Sequence, residues 1–299
     1  MKKLGTVLII LLLLLGTVWY FKGNSFSSAT SSKAPHEKLH VIASSYVVYA
    51  LAREIGADAI ELSMLVPPGT EPHHFEPTPG TIIAISEADL FFYVSGQAEP
   101  WVKDILGGLS DVTAVETAAI EPDEDPHVWM TPYGALSMAK QIAAALSTAD
   151  PSQKSVYQQN LKQFEKQIDR LHMEFEKGLS ACKYRDVVHV GHLAFKPLTD
   201  TYGLSLQALT GTSEQGEHSV YKITGLVRFI RQKKLAAVFT EELVPPELAN
   251  TIAQETGVRI LPLYTIEEVG KADFDSAVTY TEYMRRNLHN LQEGLQCQA

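Results

Sequence analysis

Residues 150–182, DPSQKSVYQQNLKQFEKQIDRLHMEFEKGLSAC, decide the architecture. Asp150 suits a helix N-cap, and Pro151 suits the first helical position, where a missing N–H costs nothing. Apolar residues then recur at Leu161, Phe164, Ile168, Leu171, Phe175 and Leu179, at spacings of three and four that lay one apolar stripe along one face. The pattern predicts a helix of roughly thirty residues, ~45 Å long at 1.5 Å per residue. Such a helix is a strut. His172, beside Leu171, reads as a structural or exposed residue on it.

On both sides of the strut, strands alternate with helices. Upstream, LHVIASS from Leu39 reads as a strand, SYVVYALAREIGAD as a helix stopped by Gly56, and TIIAISEADLFFYVSG as a helix then a strand, followed by WVKDILGGL and VTAVET. Downstream, DVVHVGH, LSLQAL, LAAVFTEE and VRILPLY read as strands. FKPLTDTYG, VYKITGLVRFIRQKK and PPELANTIAQETG read as the helices between them, and a final helix runs through FDSAVTYTEYMRRNLHNLQEGL. Alternation of this kind implies parallel sheets and an α/β fold, here two lobes flanking one long helix with a cleft between them. The expected division is 1–36 leader and tether, 37–149 first lobe, 150–182 connecting helix and 183–299 second lobe.

The leader begins Lys2-Lys3 and continues through an apolar run from Leu4 to Phe21, which predicts export. About 18 apolar residues approach the span of a bilayer, and Trp19, Tyr20 and Lys22 resemble an interfacial anchor, so both a cleaved signal and a retained anchor fit. A serine-rich tether follows, from Gly23 to Pro35. The formal net charge of the chain is −10, and Lys2, Lys3, Lys22 and Lys33 all precede the folded part. A surface this acidic repels nucleic acid and tolerates cations. The two cysteines, Cys182 and Cys297, suit one disulfide in an oxidising compartment or two free thiols. So few thiols leave no thiolate zinc site.

Three loops carry histidines in positions where ligand sites of α/β sheets gather, beyond the carboxyl ends of strands. GTEPHHFEPTPG (69–80) holds His73 and His74 between prolines that forbid helix or central strand. EPDEDPHVWMTP carries His127, and DVVHVGH ends in His192. At 54 and 65 positions apart they fit no helix-borne or finger motif, so they act together only through the fold. Neutral imidazoles favour zinc, copper, nickel or iron. Satisfied core or surface histidines are the alternative.

Taken together, GTEPHHFEPTPG, DPHVWMTP, HVGHLAFKPLTDTYGL and VFTEELVPPELANTIAQETGVRILPLYTIEEV, in this order around a long helix, resemble the zinc and manganese solute-binding proteins of ABC importers. The resemblance covers Leu39 to Leu295. It implies two parallel-sheet α/β lobes joined by a rigid helix, with a metal bound between them and delivered to a membrane permease. It carries ligand roles onto His73, His127 and His192, with His74 facing away and His189 as the rival of His192. For the fourth ligand, LYTIE nominates Glu267, with Glu241, Glu242 or water as competitors. Glu76 or a backbone carbonyl would accept the outer N–H of a ligating ring. His218, His36 and His40 read as exposed. Three imidazoles with one carboxylate favour Zn²⁺ over Mn²⁺, with manganese or iron specificity as the alternative within the family. The expected protein is a monomeric, extracytoplasmic receptor in the periplasm or on the outer face of the membrane, not an enzyme. A zinc hydrolase and an adhesin are the readings from other classes.

Overall fold

The computed structural model describes residues 38–109, 112–121, 124–210, 220–241 and 247–298. Two four-stranded parallel sheets follow one another along the chain. The first contains β1 (Leu39–Ala43), β2 (Ile60–Met64), β3 (Leu90–Tyr93) and β4 (Thr113–Glu116) in the order β2-β1-β3-β4. The second contains β5 (Asp186–Val190), β6 (Ser205–Ala208), β7 (Ala237–Glu241) and β8 (Arg259–Leu263) in the equivalent order β6-β5-β7-β8. In each sheet the chain first steps to one side of its opening strand and then to the other. That reversal opens a crevice at the strands' carboxyl ends.

The helices are α1 (Tyr46–Gly56), α2 (Pro79–Ser86), α3 (Trp101–Leu106), α4 (Pro132–Ala149), α5 (Lys154–Leu179), α6 (Lys196–Thr201), α7 (Val220–Lys233), α8 (Glu247–Thr256), α9 (Lys271–Asp275) and α10 (Tyr280–Leu295). The strut is α5, with 26 residues, entered through a short 3₁₀ turn at Pro151–Gln153. The Asp150 carboxylate accepts the Ser152 N–H at 3.0 Å, so it caps that turn and not α5 itself. Phe164, Ile168, Leu171, Phe175 and Leu179 are buried along one face and Leu161 is half-buried.

Alternation of side chains along each strand assigns the cores. Val41 and Ala43 of β1, with Leu90 and Phe92 of β3, face a central core, whereas Ile42 and Phe91 face a smaller core with Trp101 and Val102. In the second sheet Val187 and Phe239 face the central core while Val188, Val190 and Val238 face an outer core with Ile230 and Ile252. The central core also takes in α1, α4, α5 and α10, so one continuous apolar interior runs under both sheets.

Four local features differ from the sequence expectations. Gly56 is helical, with φ −79°, and it is Ala57 that turns left-handed at φ 43°. Gly56 serves close approach instead, because a Cβ there would lie 2.3 Å from Ile60 Cδ1. Strand β2 and helix α4 were not singled out by pattern: β2 is an edge strand, and α4 intersperses buried Leu136, Met138, Ile142 and Leu146 with alanines. The last helix is two helices, because Thr279 and Glu282 form a capping box that restarts the chain after Ala277 at φ 52°. Cys182 and Cys297 are bridged, joining the end of α5 to the end of α10. The expected leader and tether, His36, His218 and Glu242 lie outside the described residues.

Candidate metal centre

Each of the loops after β2, β4, β5 and β8 carries one side chain into a common buried point. In the first, Glu71 accepts the backbone N–H groups of His73 (2.7 Å) and His74 (3.1 Å), and Trp101 Nε1 donates to Pro72 O at 2.9 Å. The prolines stiffen the segment and these bonds set its direction, which leaves His73 buried and His74 exposed. In the second loop Asp125 Oδ1 accepts both the backbone N–H (3.0 Å) and Nδ1 (2.7 Å) of His127. In the third, Glu241 Oε1 does the same for His192, at 2.8 and 2.9 Å, while His189 Nδ1 donates to His192 O at 2.9 Å. Gly191 makes this possible, since a Cβ there would stand 2.0 Å from Glu241 Oε1.

The fourth loop holds Glu267. Ile266, just before it, sits at φ 65°, a region that β-branched residues avoid. The conformation persists because the loop is pinned on both sides: Asn287 pairs with both backbone groups of Tyr264, and Trp129 Nε1 donates to Thr265 O at 2.8 Å.

The geometry at the centre is that of a coordination sphere. His73 Nε2 lies 3.3 Å from His127 Nε2, which lies 3.2 Å from His192 Nε2. Glu267 places Oε2 2.9 Å from His73 Nε2 and Oε1 3.3 Å from His192 Nε2. A tetrahedral ion with bonds of 2.0 Å has donor-to-donor edges of about 3.3 Å. All three Nδ1 atoms face oxygen acceptors, namely Ala98 O at 2.6 Å for His73, Asp125 and Glu241, so the protons sit there and the Nε2 lone pairs point inward. Converging lone pairs beside a carboxylate need a cation or protons between them.

Charge follows the same logic. Burial alone would lower the pKa of His73, but the Glu267 carboxylate outweighs it and raises it to about 9. His192 is likewise raised well above its ordinary value, against burial, by Glu241 and Glu267. Burial would raise Glu267, yet His73 and His192 hold it well below the usual carboxylate range. His189, fully buried, is pushed down to about 4 by desolvation and stays neutral.

His73, His127, His192 and Glu267 are thus brought together, with one donor atom of each within 4.8 Å of every other. Glu241, the competing carboxylate, stands behind His192 on the side away from the centre. The outer N–H of His73 goes to the Ala98 carbonyl, and Glu76 is exposed. His172 packs between Tyr133 and Tyr202 and pairs with the Tyr202 hydroxyl at 3.0 Å. Sequence reading missed Asp125 and Glu71; a carboxylate two positions before His73 and before His127 was the available signal. Asp125→Asn, which keeps an acceptor but loses the charge, is expected to weaken metal binding by about 10- to 100-fold in a competitive chelator titration.

Residues 41–294 match the family described as zinc-uptake complex component A, periplasmic. The chain is 28% identical over 290 residues to the zinc-binding lipoprotein AdcA of Streptococcus pneumoniae, covering 89% of this chain and 58% of that one; it thus spans little more than half of that relative's length. It is 30% identical to the manganese ABC transporter substrate-binding lipoprotein PsaA of Streptococcus anginosus, over 99% of both. In three dimensions it resembles the Zn(II)-bound ZnuA-like domain of Streptococcus pneumoniae AdcA, with a TM-score of 0.77, 29% identity, and coverage of 87% of this chain and 99% of that one.

Proposed function

Because the chain belongs to the zinc-uptake complex component A family, as the match over residues 41–294 shows, we propose that it is an extracytoplasmic, monomeric receptor that captures Zn²⁺ between its lobes and passes it to an ABC importer. The metal is cargo, and His73, His127, His192 and Glu267 are its ligands. The observation that carries the reading is the convergence of three Nε2 atoms and one buried carboxylate, with contacts from 2.9 to 3.9 Å among them. Three neutral donors and one anion leave a zinc site near +1 and suit four-coordination; sites for manganese favour more oxygen donors. The name of the manganese relative makes that ion the competing cargo. Four protein ligands fill a tetrahedron, which leaves no open position for a hydrolytic water and favours a receptor over a zinc hydrolase.

Elemental analysis of the purified chain, followed by competitive titration with zinc and manganese, tests the proposal. One tightly held zinc per chain supports it, and preference for manganese would overturn the choice of cargo. The pH dependence has a definite sign. In the metal-free protein His73, at about 9, carries a proton at neutral pH that must leave before metal binds, and His192 is shifted in the same direction. Affinity is therefore expected to rise from pH 6 to about 9 instead of levelling near the ordinary imidazole value, with about one proton released from His73 per metal at pH 7. Calorimetry in buffers of different ionisation enthalpy reads that number. Metal-free stability moves oppositely: the contribution of a raised His73 is complete below about 6.5 and is lost as pH climbs through about 9.

A further inference from the structure

The four donors are not shared evenly between the lobes. After β8 the chain leaves the second sheet and fastens onto the first lobe. Trp129 Nε1 donates to Thr265 O (2.8 Å), Tyr46 N to Glu267 O (3.2 Å) and Gly69 N to Val269 O (2.9 Å). Farther along, the Tyr46 hydroxyl and the Arg53 guanidinium donate to Val278 O, and Phe274 packs on Tyr46 and Tyr49. Glu267 is therefore fastened at three backbone points to the elements that carry His73 and His127, and on its other side to α10 through Asn287. His192 is held by its own sheet, through Glu241 at the end of β7 and His189 on β5.

We propose that the centre works as a preassembled half-site of three donors, His73, His127 and Glu267, which captures the metal, plus a single closing donor, His192. Trp129 is the positioning residue that joins the two ligand loops of the half-site. This inference rests on the metal-receptor reading above. Trp129 stands two residues after His127, with its ring edge-on to that imidazole at 5.2 Å, and its N–H grips the carbonyl two residues before Glu267. Its own carbonyl accepts the Tyr280 hydroxyl at 2.7 Å, so the indole is fixed from both ends and fully buried. A facial set of three donors held in advance loses little freedom when the ion arrives. A fourth donor held by the other sheet adds mainly to how long the ion stays.

The partition is testable by stopped-flow mixing of the purified chain with zinc, and then of the zinc complex with a fluorescent chelator. His192→Ala should leave the association rate within about twofold while dissociation accelerates about tenfold or more, the usual division in which affinity differences lie in the off-rate. His127→Ala, within the half-site, should lose capture itself. Trp129→Phe keeps the packed ring and removes the N–H; dissociation should accelerate about tenfold, yet change little when the substitution is added to Glu267→Gln, because the two act through one contact. His192→Gln serves in place of His192→Ala if the latter does not fold. Association slowed as much by the His192 variant as by His127→Ala would overturn the partition, and a full additive effect of Trp129→Phe on Glu267→Gln would overturn its positioning role. If the parent chain binds neither zinc nor manganese, the receptor reading itself falls and the inference with it. The two failures are distinct.

Discussion

Zinc at a thousand times its dissociation constant should stabilise this protein by about 4 kcal/mol, and should do nothing for a His73→Ala, His127→Ala, His192→Ala variant. For a chain of this size the gain is a rise in Tm of roughly 10 °C, large enough to read from a single thermal melt. The reasoning needs only that the ion binds the folded state and finds no equivalent cluster in the unfolded chain. The four donors come from loops after four different strands, so unfolding scatters them across almost two hundred residues of sequence. Removing the imidazoles also strips the buried Glu267 of its His73 and His192 partners, so the metal-free variant should melt lower than the metal-free parent, and the zinc-dependent shift of each protein is the quantity to compare. A zinc-dependent shift that survives in the variant would locate the ion elsewhere.

The second large effect lies at the other end of β5. The bridge between Cys182 and Cys297 closes a loop with a sequence separation of 115. In the chain-entropy account, a loop near 100 residues is worth about 4.7 kcal/mol through restriction of the unfolded chain. Replacing both cysteines with serine should therefore cost about 4–5 kcal/mol in urea unfolding. The bridge does not act alone: Tyr184 N donates to Leu295 O at 3.1 Å and Gln298 N to Ala181 O at 3.0 Å, so the folded arrangement keeps its local pairing without the sulfur bond. Metal affinity should accordingly be little changed, because His192 follows the opposite end of the strand. A small loss of stability would mean that the unfolded chain is already compact.

Much of the architecture was legible because it rests on periodicity. The stripe from Phe164 to Leu179 and the strand beginning at Leu39 bury the residues that their spacing singles out. Helix α4 escaped because alanines carry little contrast and Gly134 argues against a helix; it is glycine because a Cβ there would meet Val128 O at 1.9 Å. The four residues gathered at the centre were nominated through the resemblance of their loop motifs to a metal-receptor family, and those motifs are local in sequence. Their supports are not local. Ala98 lies 25 positions from His73, and Glu241 lies 49 from His192, so only the folded chain shows which carboxylate faces the centre and which stands behind a ring. Asp125 and Glu71 were the exceptions, each two positions before the histidine it supports.

The continuous interior beneath the two sheets has a consequence for how this molecule can come apart. A protein made of two self-sufficient halves would melt in two steps and tolerate a cut in the connecting helix. Here α5 lays its buried face into apolar contacts contributed by both halves, and α10, from the far end of the chain, closes the same space. A fragment ending at residue 149 or beginning at 183 would present that interior to water and aggregate. The two lobes are thus a shape and not two folding units, and the candidate metal centre is buried within one indivisible body.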